Sequence, residues 1–372
     1  MTSESFFNSL EQHFTQDLPF VVYRKNNETI VKGLFQKNRG VNYVSDFKES
    51  GFVFAPFDTS NDTVIIPLDG SEYMEADYHP NQSSNEDLSL QSESLYGNQK
   101  QNHIQLVHKG VEAIKEGQFK KVVLSRVDVQ DLSDSKPIKL FKSLLINYPQ
   151  AFVYCWYHPK VGLWLGATPE TLIKVANNQF ETMSLAGTQQ SSVREVNWTD
   201  KEKNEQQIVT DYLVSRLKDL SKTIHVSKPR TVQAGNLVHL QSTVSGTLYS
   251  KDLKPIIKAL HPTPAVCGFP KEMAKQFILQ EEGYDRSFYT GFLGELNFKE
   301  QISRNRNRQN VENNVYAVVK NVSNLYVNLR CMQLQQDKAL IYVGGGITFD
   351  SNPEEEWQET VSKSMTVKKA LL

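Results

Sequence analysis

Cysteine is scarce in this chain. Its 372 residues include three, Cys155, Cys267 and Cys331. They are odd in number and far apart, with no C-x-x-C spacing. This excludes a disulfide framework and a thiolate zinc site, and reads as reduced, buried thiols in a cytoplasmic protein. An excess of charge is missing too: 41 Lys and Arg stand against 42 Asp and Glu, for a net charge of −1. Neither nucleic acid nor an anionic membrane is an expected partner for so balanced a chain. No apolar run approaches the roughly 18 residues that a membrane helix needs, so no span is expected. The opening "MTSESFFNSLEQHF" has no basic n-region and no apolar h-region, so no secretory signal is expected. Short tandem repeats are absent as well.

What is present is ordinary globular material, 39% hydrophobic and 22% charged. The chain is long enough to bury a large core. "FVVYRKNNETIVKGLF" reads as a strand, an Asn-Asn turn and a second strand, and "GFVFAPF" as a strand closed by proline. The polar stretch 79–99 reads as a surface loop. From His103 onward, helical spacings alternate with paired strands. "HIQLVHKGVEAIKEGQF", "PIKLFKSLLINYP", "KEKNEQQIVTDYLVSRLKDL", "EMAKQFILQEEG" and "PEEEWQETVSKSMTVKKALL" have the period of helices. "KKVVLSRVDVQ", "AFVYCWYHP", "GLWLGATPE", "NLVHLQSTVSGTL", "FYTGFLGELNF", "NLYVNLRCMQLQ" and "ALIYVGGGITF" read as strands, and 300–314 as a polar hairpin tip. Strands in pairs with helices between them predict an α+β fold: mixed, largely antiparallel sheets packed together and covered by helices. Residues 1–100 form its β-rich N-terminal part and 101–372 its catalytic region.

Several residues could carry chemistry. Glu202 and Glu205 are three apart on one predicted helix, and Glu356 and Glu359 on another, so each pair shares a helix face. Two such faces could hold one divalent cation of the Mg²⁺ type; each pair alone reads first as a solvated surface. "YVGGGITFD" exposes the amides of Gly344 to Gly346 after an apolar strand, either an anion cradle or a bulge. Arg330, inside the apolar "VNLRCMQL", needs an anionic partner, which is a carboxylate ligand or a structural salt bridge. Lys121 shares a strand face with Val123 and Ser125 and is either a base or an edge-strand lysine. Glu170 follows a Thr-Pro turn and either acts as a general acid or starts a helix. His239, alone in its strand, reads as a satisfied core group. "LHPTPAVCGFPKE", with Pro262, Pro264 and Pro270 close together, reads as a stiff wall leading into a helix.

Taken in order, "KVVLSR" at 121, "GATPETL" at 166, "LAGTQ" at 185, "KEKNEQQIV" at 201, "VHLQSTVSGTL" at 238, "LHPTPAVCGFPKE" at 260, "DRSFYTGFLGEL" at 285, "NLRCMQL" at 328, "YVGGGI" at 342 and "EEEWQET" at 354 resemble the chorismate-utilising enzymes, most closely their isochorismate synthase branch. The resemblance runs from about Val111 to the C-terminus. It implies Mg²⁺-dependent attack of water on C2 of chorismate with loss of the C4 hydroxyl. Lys121 matches the base and Glu170 the acid. Glu205 and Glu359 match direct Mg²⁺ ligands, with Glu202 and Glu356 beside them. Arg330, Tyr289 and the Gly344 amide match the site for the enolpyruvyl carboxylate. Gly187 and Thr188 match the pocket near C4, and His239 lies near the pyruvyl side. Lys363 and Ala265 also belong to the pocket, Ala265 in the wall against the ring.

Relatives that use ammonia lack a lysine at position 121, and relatives that go on to eliminate pyruvate tend to carry threonine at 265. Lys121 with Ala265 therefore implies water as nucleophile and isochorismate as product. The alternatives are a salicylate synthase and a non-catalytic chorismate- or anion-binding protein. The product would feed menaquinone or a catechol siderophore, and a cytoplasmic monomer is expected. One departure stands out: the family's metal helix usually has histidine after the ligand, and this chain has Gln206.

Overall fold

A computed structural model describes residues 1–79, 97–132, 136–190, 196–234, 237–302 and 318–371. The N-terminal part runs α1 (Ser3–Thr15), β1 (Phe20–Arg24), β2 (Ile30–Gln36), β3 (Asn42–Tyr43), β4 (Gly51–Ala55), β5 (Val64–Pro67) and β6 (Ser71–Asp77). Next come α2 (Gly97–Lys115), β7 (Lys121–Asp131), α3 (Pro137–Asn147), β8 (Phe152–His158), β9 (Gly162–Thr168), β10 (Thr171–Ala176), β11 (Gln179–Gln190) and α4 (Asp200–Leu217). The chain continues through β12 (Ser221–Val226), β13 (Arg230–Ala234), β14 (Leu237–Leu248), α5 (Lys254–Leu260), β15 (Gly268–Phe269) and α6 (Lys271–Glu281). It ends with β16 (Phe292–Ile302), β17 (Val318–Val327), β18 (Cys331–Gln335), β19 (Lys338–Ile347) and α7 (Pro353–Lys368). The polar stretches 79–99 and 300–314 fall largely outside the described residues, though α2 already begins at Gly97 and β16 reaches Ile302.

The strands form two antiparallel sheets. One has nine strands in the order β15-β7-β19-β18-β9-β8-β1-β2-β6; the other has ten, β12-β14-β11-β10-β17-β16-β4-β5-β3, with β13 added on β14. Period-2 alternation divides each inner strand between two cores. In β1, Val21 and Tyr23 join an aromatic cluster, while Phe20 and Val22 join a second cluster with α1 and α3. In β8, Phe152, Tyr154 and Trp156 face the first, Val153 and Cys155 the second. The aromatic cluster joins the sheets: Phe152 stacks on Tyr326 at 4.1 Å and Phe54 on Phe288 at 4.2 Å. A third cluster packs α4 and α5 on the ten-stranded sheet, and a fourth packs α2 and α6 on β7. This is the expected α+β arrangement of antiparallel sheets covered by helices. All three cysteines are buried and unpaired.

Two expectations change. Helix α1 was not anticipated, although Thr2 caps it by accepting from the Ser5 amide at 3.2 Å and Phe6, Phe7 and Leu10 give it a buried stripe. "NLYVNLRCMQLQ" is not one strand. It breaks at Asn328–Arg330 because the chain leaves the ten-stranded sheet after β17 and enters the nine-stranded one at β18. The chain makes the reverse change at Pro169–Glu170, between β9 and β10, so Glu170 sits at the crossing just before a strand and does not start a helix. The two crossings lie side by side. The Ala167 amide donates to Arg330 O at 3.1 Å, the Val327 amide to Glu170 O at 3.0 Å, and Thr168 Oγ1 to Val327 O at 2.6 Å.

Candidate active site

Where the crossings meet α4, α7 and the glycine end of β19, they enclose a cavity of about 230 Å³. Glu170, Gly187, Glu202, Glu205, His239, Ala265, Tyr289, Arg330, Gly344, Glu356, Glu359 and Lys363 all line it. One cavity thus gathers nearly every residue that the sequence singled out. Thr188 belongs to β11, but its side chain lies outside the described residues.

Lys121 is not among the lining residues; it lies directly behind Gly346 and Glu205, which are. β7 lies inside the nine-stranded sheet, between β15 and β19, and Lys121 is fully buried, so the edge-strand reading fails. Its ammonium donates to Glu205 Oε1 at 2.7 Å. The glycines of β19 explain how it comes this close to the cavity. A Cβ at Gly346 would lie 2.7 Å from Glu205 Oε1 and 3.0 Å from Lys121 Cε; one at Gly345 would lie 3.2 Å from Glu356 Oε2. The triple glycine therefore leaves room for carboxylates and the lysine. A Cβ at Gly344 would stand 3.1 Å from the Tyr289 hydroxyl and 2.7 Å from Leu124 O.

The acidic helices have separate local duties. Glu202 Oε2 accepts from the Thr199 amide at 2.6 Å and the Thr199 hydroxyl at 2.9 Å, forming the capping box of α4, and its Oε1 accepts from Gln189 Nε2 at 2.7 Å. Glu205, one turn on, points to the cavity. Burial pushes its carboxyl up, but Lys121, Lys363 and the Gly187 amide outweigh this and hold it below the ordinary glutamate value. Gln206, buried behind it, shares its amide donors among Ser184 Oγ at 2.8 Å, Thr210 Oγ1 at 2.9 Å and Ser242 Oγ at 2.9 Å. It ties α4 to β11 and β14 without a titrating group. On α7, Glu356 is buried, and Glu359 pairs with Lys363 at 2.6 Å; that ammonium also donates to Gly344 O at 3.0 Å.

Glu170 is buried at its crossing. Desolvation lifts its carboxyl to about 7 against the opposing charges of Lys121 and Lys363, so it is an acid near neutral pH. Arg330 sits at the other crossing with φ of 49°, not within a strand. Thr366 Oγ1 accepts from its Nη1 at 3.0 Å, and His239 Nε2 lies 3.3 Å from its Nη2. His239 Nδ1 lies 2.9 Å from Gly187 O, which can only accept. The ring is therefore protonated on Nδ1 and accepts at Nε2 from the guanidinium. Burial first, then the Arg330 charge, lower the His239 pKa to about 3. The core reading of His239 is half right: it is satisfied, and it also lines the cavity and holds Arg330.

Sequence reasoning missed Thr290, Tyr342 and Leu329, which line the cavity, and Thr366, which anchors Arg330. Thr290 was legible in "FYTG"; Thr366 was not, because only the packing of α7 brings it to Arg330. The hard oxygen donors of Glu205, Glu356 and Glu359, with room at Gly345 and Gly346, fit a cation such as Mg²⁺. Among the described residues the carboxylates form no closed metal cluster.

An acid, a buried lysine, acidic helices and an anchored arginine around one cavity define a small-molecule enzyme site for an anionic substrate. Residues 60–302 match the family described as "Chorismate binding enzyme", and 315–369 match a second segment of the same description. The chain belongs to this family. It is 28% identical over 287 residues to isochorismate synthase DhbC of Bacillus subtilis, covering 71% of this chain and 66% of that protein. It is 30% identical over 281 residues to isochorismate synthase 2, chloroplastic, of Arabidopsis thaliana, covering 71% and 46%. The matched stretch is thus under two thirds of either relative. Among solved structures, MenF, the menaquinone-specific isochorismate synthase of Escherichia coli, superposes with a TM-score of 0.73 at 19% identity, over 95% of this chain and 89% of that one. Anthranilate synthase component I of Streptococcus pneumoniae gives 0.65 at 18%, over 93% and 90%. These likenesses concern the fold.

Proposed function

We propose that this protein converts chorismate to isochorismate. The observation that carries the reading is a fully buried lysine and a buried glutamic acid with a carboxyl pKa of about 7, each within reach of the other's charge at one cavity. Two titratable groups held in opposite roles are what acid–base exchange of a hydroxyl requires. Lys121 acts as the free amine: its ammonium, which pairs with Glu205 at rest, first releases a proton to solvent, and the amine then takes a proton from the water that bonds to C2. Glu170 gives its proton to the hydroxyl that leaves C4, and the ring double bonds shift between them. Arg330 and Tyr289, with the Gly344 amide, hold the enolpyruvyl carboxylate; His239 and Thr366 fix the guanidinium. Gly187, Thr188 and Ala265 shape the ring pocket.

Glu205 and Glu359 would hold Mg²⁺ directly, with Glu202 and Glu356 beside them, and the ion would supply positive charge for the ring carboxylate. Lys121 and Lys363 already balance Glu205 and Glu359, so the site carries mixed charge before any ion enters. No described helix is long and apolar enough to cross a membrane. We place the enzyme in the cytoplasm on its buried unpaired thiols, and the monomer is what the family resemblance implies. The test is incubation with chorismate and Mg²⁺ and chromatography of the products. Isochorismate supports the reading; recovery of chorismate alone rejects it.

A further inference from the structure

Three walls of the cavity meet at a side chain that does not line it. Arg286 is 2% exposed. Its Nη2 donates to Val123 O at 2.6 Å, and its Nη1 to Val266 O at 3.0 Å and Thr290 Oγ1 at 3.2 Å. Val123, Val266 and Thr290 each line the cavity, from the Lys121 strand, the proline-rich segment and the Tyr289 turn. Glu282 matches the charge: its Oε2 accepts from Arg286 Nε at 2.7 Å and its Oε1 from Nη2 at 2.5 Å. The same Oε1 accepts from the Ser125 amide at 2.7 Å and the Ser125 hydroxyl at 2.8 Å, two residues beyond Val123. Both ends of the pair therefore grip β7.

The backbone shows why a clamp is needed there. β15 pairs with β7 at only Gly268 and Phe269. The contact extends by one bond at each end, from the Lys120 amide to Phe269 O at 2.7 Å and from the Val123 amide to Cys267 O at 2.8 Å, and on the Val123 side it stops there. The next carbonyls, Val123 O and Val266 O, are joined through the guanidinium. A planar fork with fixed donor directions can do this; an ammonium on a flexible stem cannot. A buried ion pair is weak evidence for net stability, since desolvation offsets much of its attraction. Its bonds instead fix distances, and a misplacement of about 1 Å in a reacting group costs on the order of 10²-fold in rate.

We propose that Arg286, held by Glu282, is a positioning residue that sets the separation between the Lys121 strand, the Ala265–Val266 wall and the Tyr289–Thr290 turn. Its effect on turnover rests on the proposed isomerase activity. Arg286→Lys keeps the charge and loses the fork. The expected result is a kcat lowered at least about 10-fold per folded molecule, with faster hydrogen exchange at the Val123 amide well below the melting transition. A merely stabilising arginine would lower Tm and leave kcat and that exchange unchanged, which would overturn the proposal. If Arg286→Lys does not fold, Glu282→Gln is measured in the same way, with the same two outcomes. Wild-type protein is assayed alongside. If it produces no isochorismate, the activity reading falls while exchange at Val123 still decides the clamp: faster exchange in the variant sustains it, and unchanged exchange rejects it.

Discussion

Lys121 Nζ lies 2.7 Å from Glu205 Oε1, and this bond ties β7, behind the cavity wall, to the acidic helix that lines the cavity. The lysine is fully buried while the glutamate keeps some exposure, so the pair opens toward the cavity on one side only. Removing the amine should stop proton removal from water. Because the side chain fills buried space, Lys121→Met is a cleaner test than Lys121→Ala. We expect kcat to fall at least ~10²-fold, the usual scale for a general base, in protein that still melts cooperatively. Near-normal turnover by the folded variant would mean that another group is the base.

Glu170 titrates near 7 in the folded protein against an ordinary glutamate value of 4.5. The sign follows from burial, which favours the neutral form. As an acid, Glu170 is competent below pH 7, so kcat/KM should decline above that pH, and Glu170→Gln should remove this limb together with about 10²-fold of rate. Stability should fall over the same pH range. A raised folded pKa contributes stability that is full below the ordinary value and lost as pH rises through about 7. Glu170→Gln escapes that loss and should melt higher than wild type at pH 8, by up to about 3 kcal/mol, and equally at pH 4. Equal melting at pH 8 would contradict the buried-acid assignment.

Arg330 should act through binding. A charge-assisted bond to a carboxylate is worth roughly 1.5–3 kcal/mol, so Arg330→Ala should raise KM by about 10- to 100-fold and change kcat less. His239 stays neutral across the working range because its pKa is about 3. KM should therefore show no titration near pH 6.5. A KM that rises through pH 6.5 in wild type, and not in His239→Gln, would refute the fixed tautomer.

The acidic helices predict dependence on a divalent cation. EDTA should abolish turnover and Mg²⁺ should restore it, and Glu205→Ala or Glu359→Ala should each raise the Mg²⁺ concentration needed for half-maximal rate. Full turnover in EDTA would exclude the assignment. Glu202→Gln offers a contrast. Its carboxylate is already committed to the capping box and Gln189, so its main expected effect is on α4, lowering Tm more than metal response.

Much of this was legible in the sequence because local chemistry and fold agree. Continuous apolar runs marked β8 and β9, glutamates three apart marked the faces of α4 and α7, and consecutive glycines marked the cavity wall in front of Lys121. What was not legible depended on sheet changes. "NLYVNLRCMQLQ" has the composition of one strand, and nothing local to it says that Tyr326 and Met332 belong to different sheets. The same crossing puts Arg330 in the left-handed region and delivers it to His239 and Thr366, contacts far apart in sequence. Helix α1 was a different omission: its cap and apolar spacing were present in the first fifteen residues and were read only for what they lacked.

The last prediction concerns the product. Ala265 lies between Pro264 and Val266 in the wall segment, and both Ala265 and Val266 line the cavity. Arg286 holds the Val266 carbonyl, and proline fixes φ at position 264. A methyl group at 265 offers no hydrogen bond beside the bound ring. Threonine there would add a hydroxyl that both donates and accepts in a closed space. Elimination of pyruvate would need the hydrogen on C2 to move to the enolpyruvyl methylene while the ring C–O bond breaks and the ring becomes aromatic. Ala265 gives that step no polar group to work with. A wild-type reaction run to completion without coupling enzymes should stop at a constant mixture of chorismate and isochorismate, the behaviour of a reversible isomerisation. Stoichiometric pyruvate and salicylate from wild-type protein would replace the isomerase by a salicylate synthase.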